Sequence, residues 1–197
     1  WIGRMIEAAD VVTDRLVDSY RATFGAALAN VGDGEAPLAL HWCLSPQMVP
    51  GAELGPDGHT ATDGFLPPVP LPRRMWAGGD VECLAPLRLG DTVRRRSTIA
   101  DIRVKQGRTG ELCFITIGHE LSTPRGLAIR ERQDLVFRAP PSIGKSSEPA
   151  ATPNRPAARP DLTWPIAATP VLLFRYSALT FNAHRIHYDQ PYATEAE

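Results

Sequence analysis

Two histidines, an asparagine and an aspartate fall within Asn182-Ala-His184-Arg-Ile-His187-Tyr-Asp189, and no other stretch of this 197-residue chain gathers such side chains so closely. Several chemistries use a set of this kind. His184-x-x-His187 is half of a metal site, but the other half needs further donors, and no cysteine or carboxylate cluster of matching spacing supplies them. A cysteine–histidine nucleophile pair has no local signature here. General acid/base catalysis asks for less. It needs an imidazole that titrates near neutrality and a polar group to orient water or substrate, the parts open to His187 and Asn182. The fourth alternative is a polar turn whose side chains only cap backbone groups.

The residues before this stretch predict a helix that holds it. Thr169 suits an N-cap and Pro170 the first helical position, where a missing N–H loses no bond. Leu172, Leu173, Tyr176 and Leu179 recur at helical spacing and form an apolar stripe expected to pack against a sheet. Near Thr180 the period stops, which leaves His184 and His187 in a short irregular segment anchored by that helix.

A sheet is predicted by the middle of the chain. Met75 to Ala85 has strand character, with a bulge or a close backbone approach expected at Gly78-Gly79. Thr92 to Lys105 follows, with a bulge near Ala100-Asp101, where the apolar side chains change face. Glu111 to Ser122 returns after the loop at Gln106 to Gly110, and Leu127 to Arg138 alternates behind the turn at Thr123 to Gly126. These long strands make an antiparallel meander. His119 shares the apolar face of its strand with Cys113, Ile115, Ile117 and Leu121, so a hydrogen-bonded core histidine is expected.

Three other segments frame the sheet. Residues 10 to 29 predict a helix capped by Thr13, with Leu16, Val17, Tyr20, Phe24 and Leu28 on one face, and Pro37 to Leu44 is an apolar core run. From Pro46 to Pro72 there are seven prolines and four glycines and no period, the composition of a loop that covers a substrate or runs over the surface. His59 within it is expected to be solvated. Residues 139–168 form a Pro/Ala-rich linker.

Composition excludes several classes. A net charge of -1 gives no electrostatic reason to bind nucleic acid or an anionic membrane. There is no apolar run of transmembrane length and no secretory h-region at the start. Cys43, Cys83 and Cys113 lack CxxC spacing and are expected to be buried free thiols in a reducing cytoplasm.

Leu179-Thr-Phe-Asn-Ala-His-Arg-Ile-His-Tyr-Asp189, with Gln-Pro-Tyr-Ala193 behind it, resembles the hydratase motif of the MaoC-like hot-dog enzymes. Phe65-Leu-Pro-Pro-Val-Pro-Leu-Pro-Arg-Arg-Met-Trp-Ala-Gly-Gly79 and Ala85-Pro-Leu-Arg-Leu-Gly-Asp91 are similar to the FAS1-like dehydratase branch. That branch includes type 2 hydroxyacyl-thioester dehydratases and the bacterial mesaconyl-C4-CoA and itaconyl-CoA hydratases. The resemblance implies an α+β fold, a double hot dog in which an antiparallel sheet wraps a helix, with the second hot dog only partly present. Residues 1–138 would be the N-terminal hot dog, 139–168 the linker, and 169–197 the start of the catalytic one.

Function follows from the same resemblance. Water adds to a 2-enoyl thioester, or leaves a 3-hydroxyacyl thioester, with no metal or redox cofactor. His187 aligns with the catalytic histidine, and Asn182 stands where the family has an aspartate. His184 and Arg185 align with the Asn-Pro pair beside them. Arg73, Arg74 and Arg185 are candidates to bind acidic parts of an acyl-CoA, either a phosphate or the free carboxylate of a C5 diacid. The expected partners are an acyl-CoA thioester and further copies of the chain, in a homo-oligomer. Since an amide accepts no proton, His187 has to be the base. A non-catalytic acyl-thioester binding subunit and a hot-dog thioesterase are the alternatives. Because the sequence opens on Trp1 and stops soon after Asp189, it is expected to be a piece of a longer protein, or to take its missing strands from another chain.

Overall fold

A five-stranded sheet carries the chain. The computed structural model describes residues 1–60, 64–107, 110–139, 163 and 165–195. Its strands are β1 (Met5–Val11), β2 (Arg73–Cys83), β3 (Thr92–Gly107), β4 (Gly110–Thr123) and β5 (Gly126–Arg138), in the order β1-β3-β4-β5-β2. Every neighbouring pair is antiparallel. The meander runs through β3, β4 and β5, and the register of β3 shifts between Ile99 and Asp101, at the expected bulge. The second expected irregularity lies between Trp76 and Gly78. There Gly79 passes so close to β5 that a Cβ would stand 2.6 Å from the Arg132 carbonyl oxygen.

β1 is a departure from the expected pattern, in which residue 10 begins a helix. As an edge strand paired only with β3, it leaves Met5, Ile6 and Val11 exposed and has little of the alternation that marks a half-buried strand. The first helix, α1 (Asp14–Phe24), is therefore shorter than expected. Its cap is the expected one: Leu16 N–H donates to Thr13 Oγ1 at 3.2 Å. Leu16, Val17 and Tyr20 are buried against Leu40, Leu44, Val93, Leu121 and Ile129.

The Pro/Gly-rich stretch covers the other half of the sheet. Phe65, Leu66, Val69 and Leu71 pack on Ile99, Cys113, Ile115, Ile117, Leu135 and Phe137, a second core separate from the one beneath α1. Of the three thiols, Cys43 and Cys113 are buried, whereas Cys83 is exposed, because it ends the edge strand β2.

Thr169 caps α2 (Pro170–Leu179) through a hydrogen bond from Leu172 N–H at 3.2 Å. This helix packs mainly on α1 rather than squarely on the sheet. Tyr176 meets Phe24 edge-on at 5.3 Å, and Arg175 donates to the Ala22 carbonyl. Of the stripe, Tyr176 and Leu179 reach the core, and both are only partly buried against it. Leu173 stays exposed, as does Phe174 beside it. Most of the expected linker, residues 140–162 and 164, lies outside the described residues.

Candidate active site

The segment after α2 is a tight, self-bonded turn. Phe181 adopts a left-handed φ of 53°. The backbone N–H of Asn182 donates to the Ser177 carbonyl at 2.8 Å, and its side-chain Oδ1 accepts from His184 N–H at 3.0 Å. A single 3-10 turn, Arg185–His187, follows, and α3 (Gln190–Glu195) comes after it. Arg185 fixes this turn. Its guanidinium grips Asp189 Oδ2 at 2.7 and 3.1 Å, donates to the Pro56 carbonyl, and lies 4.1 Å over the Tyr192 ring.

The long loop docks onto the turn from far away in the sequence, Pro56 and Arg185 being 129 residues apart. Arg185 N–H donates to the Asp57 carbonyl at 2.9 Å. Gly58, with φ of +85°, lies directly against the Ala183 carbonyl, where a Cβ would overlap it. This contact brings the His59 ring onto that of His184, centroids 3.7 Å apart, while His187 meets His184 edge-on at 5.4 Å. Asp57 holds His59 through both its backbone N–H and its Nδ1. Asp57, His59 and His184 bring donor atoms within 4.8 Å of one another, a set that a divalent cation could use. Their two imidazoles are stacked, however, and one nitrogen of His59 already faces Asp57.

Burial sets the charge of these rings. It pushes the His184 pKa down to about 4, with help from His59 and His187. His59 is lowered by burial and then by Arg74, which together outweigh Asp57, and His187 is lowered by burial. All three imidazoles are therefore neutral at pH 7, the form in which a histidine accepts a proton.

A cavity of about 750 Å³ opens beneath them. Asn182, His184, His187 and His59 line it together with Arg74 of β2; Phe65, Ile117 and Leu135 give apolar wall, and Arg95, Ser97, His119 and Gln133 reach it from β3, β4 and β5. The structure thus brings His187, Asn182, His184 and Arg74 to one cavity. Arg73 and Arg185 are not in its lining; Arg185 is the clamp just described, and Arg73 lies opposite Arg138 across β2 and β5.

Some cavity residues were not foreseen as such. His59, expected to be solvated, is packed on His184, because the loop folds back through Gly58. The hint in the sequence is Asp57-Gly58-His59, a polar trio in an otherwise Pro-rich run. His119 has the hydrogen bonds expected of a core histidine, with Ser97 Oγ at 2.8 Å and Gln133 Oε1 at 3.3 Å, but its ring also faces the cavity.

The family model described as hydroxyacyl-thioester dehydratase type 2 matches residues 38–197. The chain belongs to that family. Within it, the sequence is 40% identical over 199 residues to mesaconyl-C(4)-CoA hydratase of Chloroflexus aurantiacus, a match that covers 100% of this chain and 70% of that protein. It is 28% identical over 175 residues to the mitochondrial hydroxyacyl-thioester dehydratase type 2 of Schizosaccharomyces pombe, covering 80% of this chain and 58% of that one. Among solved structures, HtdX of Mycobacterium tuberculosis superposes with a TM-score of 0.59 at 20% identity, over 97% of this chain and 66% of that chain. A MaoC-like dehydratase of Phytophthora capsici gives 0.61 at 17% identity, over 98% and 67%. The fold of this type 2 dehydratase family member is thus the hot dog of the MaoC-like dehydratases, and the chain corresponds to part of each relative's length.

Proposed function

We propose that this chain carries the acid/base site of a hydro-lyase that interconverts a 2-enoyl-CoA and a 3-hydroxyacyl-CoA. The acyl group is a C5 dicarboxylic one, such as that of mesaconyl-C4-CoA or itaconyl-CoA. One observation supports the reading above the rest: a neutral His187 stands at a cavity that also offers apolar wall and cationic side chains.

In hydration, the oxygen of a water molecule bonds to C3 of the enoyl group while His187 takes one of its protons. The π pair of C2=C3 shifts toward the thioester carbonyl, and the imidazolium then returns a proton to C2. Dehydration is the reverse. Protons and water are all that move, so no redox cofactor is called for. Asn182 cannot serve as base, and its Oδ1 is already occupied by His184 N–H. Its remaining role is to hold the turn and to offer its amide N–H groups to water or to the thioester.

The proposal includes action as a homo-oligomer in the cytoplasm. Val171, Phe174 and Phe181 are exposed apolar side chains suited to burial against another copy. No helix among the described residues is long and apolar enough to cross a membrane.

The test is incubation with a panel of 2-enoyl-CoAs, following enoyl absorbance and free thiol together. Loss of absorbance without thiol is the expected outcome. Thiol release would replace this reading with a thioesterase, and tight binding with neither signal would make the chain a binding subunit.

A further inference from the structure

The inner face of the sheet is not one continuous core. Leu121, Ile129 and Val93 belong to the apolar cluster under α1, and Ile117, Ile115 and Leu135 to the one under the loop. Between the two runs a polar band: Arg95 and Ser97 on β3, His119 on β4, Glu131 and Gln133 on β5. The register places Ser97 opposite His119 and His119 opposite Glu131, so the band crosses three adjacent strands. Apolar residues at these positions would join the two clusters, and burying polar groups instead costs stability unless each finds a partner.

Partners within the protein account for only part of the band. Glu131 is turned away, accepting from Trp42 Nε1 at 3.0 Å and lying 3.4 Å from His41 Nε2, and it is not in the cavity lining. Asp10, the other carboxylate near Arg95, receives the N–H groups of Val11 and Ser45. Arg95 itself donates to the carbonyls of Leu44 and Ser45 at 3.3 and 2.6 Å, which uses two of the five N–H groups of a guanidinium. Gln133 turns its Oε1 toward His119, so its amide N–H groups point elsewhere. Arg95, Ser97, His119 and Gln133 all line the cavity that holds His187. What this floor has to spare is donors, and a planar guanidinium and an amide N–H₂ that line one cavity can both donate to a carboxylate.

We propose that Arg95 and Gln133, braced by the Ser97–His119 pair, form a subsite for the free carboxylate of the acyl group. The floor would thereby select dicarboxylic thioesters over neutral ones. This rests on the hydratase reading above and names the residues that set its substrate class.

The experiment compares a C5 dicarboxylic enoyl-CoA with the same thioester whose free carboxylate is replaced by methyl. The readout is the ratio of their kcat/KM values in the parent protein, in Arg95→Met and in Gln133→Leu. Each substitution should lower that ratio about 10- to 100-fold, the worth of a hydrogen bond to a charged group. Gln133→Leu leaves the support of Leu44 and Ser45 intact, so it speaks even if Arg95→Met fails to fold. An unchanged ratio would overturn the subsite. The saturated forms of both thioesters, titrated by calorimetry, need no turnover. Equal affinity of the parent for the two would also overturn the subsite. Preferential, Arg95-dependent binding of the diacid with no turnover would sink only the hydratase reading.

Discussion

At the scale of single residues, the site depends on imidazoles kept neutral. His184 is buried between His59 and His187, and charge repulsion from these two rings adds to burial in lowering its pKa. For His187 the cause is burial. A base of lowered pKa is active above that pKa and is lost as pH falls through it. The kcat/KM of hydration is therefore expected to be level from neutral pH upward and to drop on the acid side, with its midpoint below the ordinary histidine value of about 6.5. A pH–rate profile checks this, and a midpoint above that value would contradict it. His187 was legible in the sequence because its neighbours Asn182 and His184 are local. Asp57 and His59 were not, since their relation to the motif exists only through a backbone contact between distant segments. The roles of Arg185 and Asn182 were equally hidden, because a residue type does not say whether a neighbouring carbonyl or carboxylate has already claimed it.

Among the elements, the docked loop carries most of the consequence. Gly58 has both a left-handed φ and no room for a Cβ, so Gly58→Ala should push the loop off the Ala183 carbonyl. The strain alone is about 1–3 kcal/mol. Activity should fall, and the amide of Arg185, bonded to the Asp57 carbonyl, should lose hydrogen-exchange protection while the sheet keeps its own. Unchanged protection at Arg185 would show that the loop does not position the site. The strands of the meander were readable because alternation and Gly-containing turns mark them, bulge in β3 included. β1 escaped because an exposed edge strand has no buried face to impose a pattern. The partner of α2 escaped because periodicity shows that a helix has an apolar face and is silent on what covers it.

Across the whole molecule, the same burial makes stability depend on pH. His59, His119, His184 and His187 all have lowered pKa values, so the unfolded chain binds more protons than the folded one as pH drops below about 6.5. Stability gained from keeping them neutral is full above that range and declines toward pH 4. Asp57, with its pKa held down by hydrogen bonds from His59 despite burial, adds a further loss at still lower pH. Thermal melts from pH 7.5 to 4 should show a falling Tm, and a Tm constant to pH 5 would contradict the buried, neutral state of these rings. The hot dog itself was accessible from the resemblance of the sequence motifs. The polar band that divides its core was not, since Arg95, Glu131 and Gln133 sit on strands whose apolar neighbours dominate the pattern.

The central claim is that His187 moves the proton. It is tested most directly by the kcat/KM of His187→Gln on the enoyl-CoA that the parent hydrates best, with thermal melts to confirm the fold. A loss of about 10²- to 10⁴-fold at unchanged Tm is the expected result. Hydration at the parent rate would contradict it.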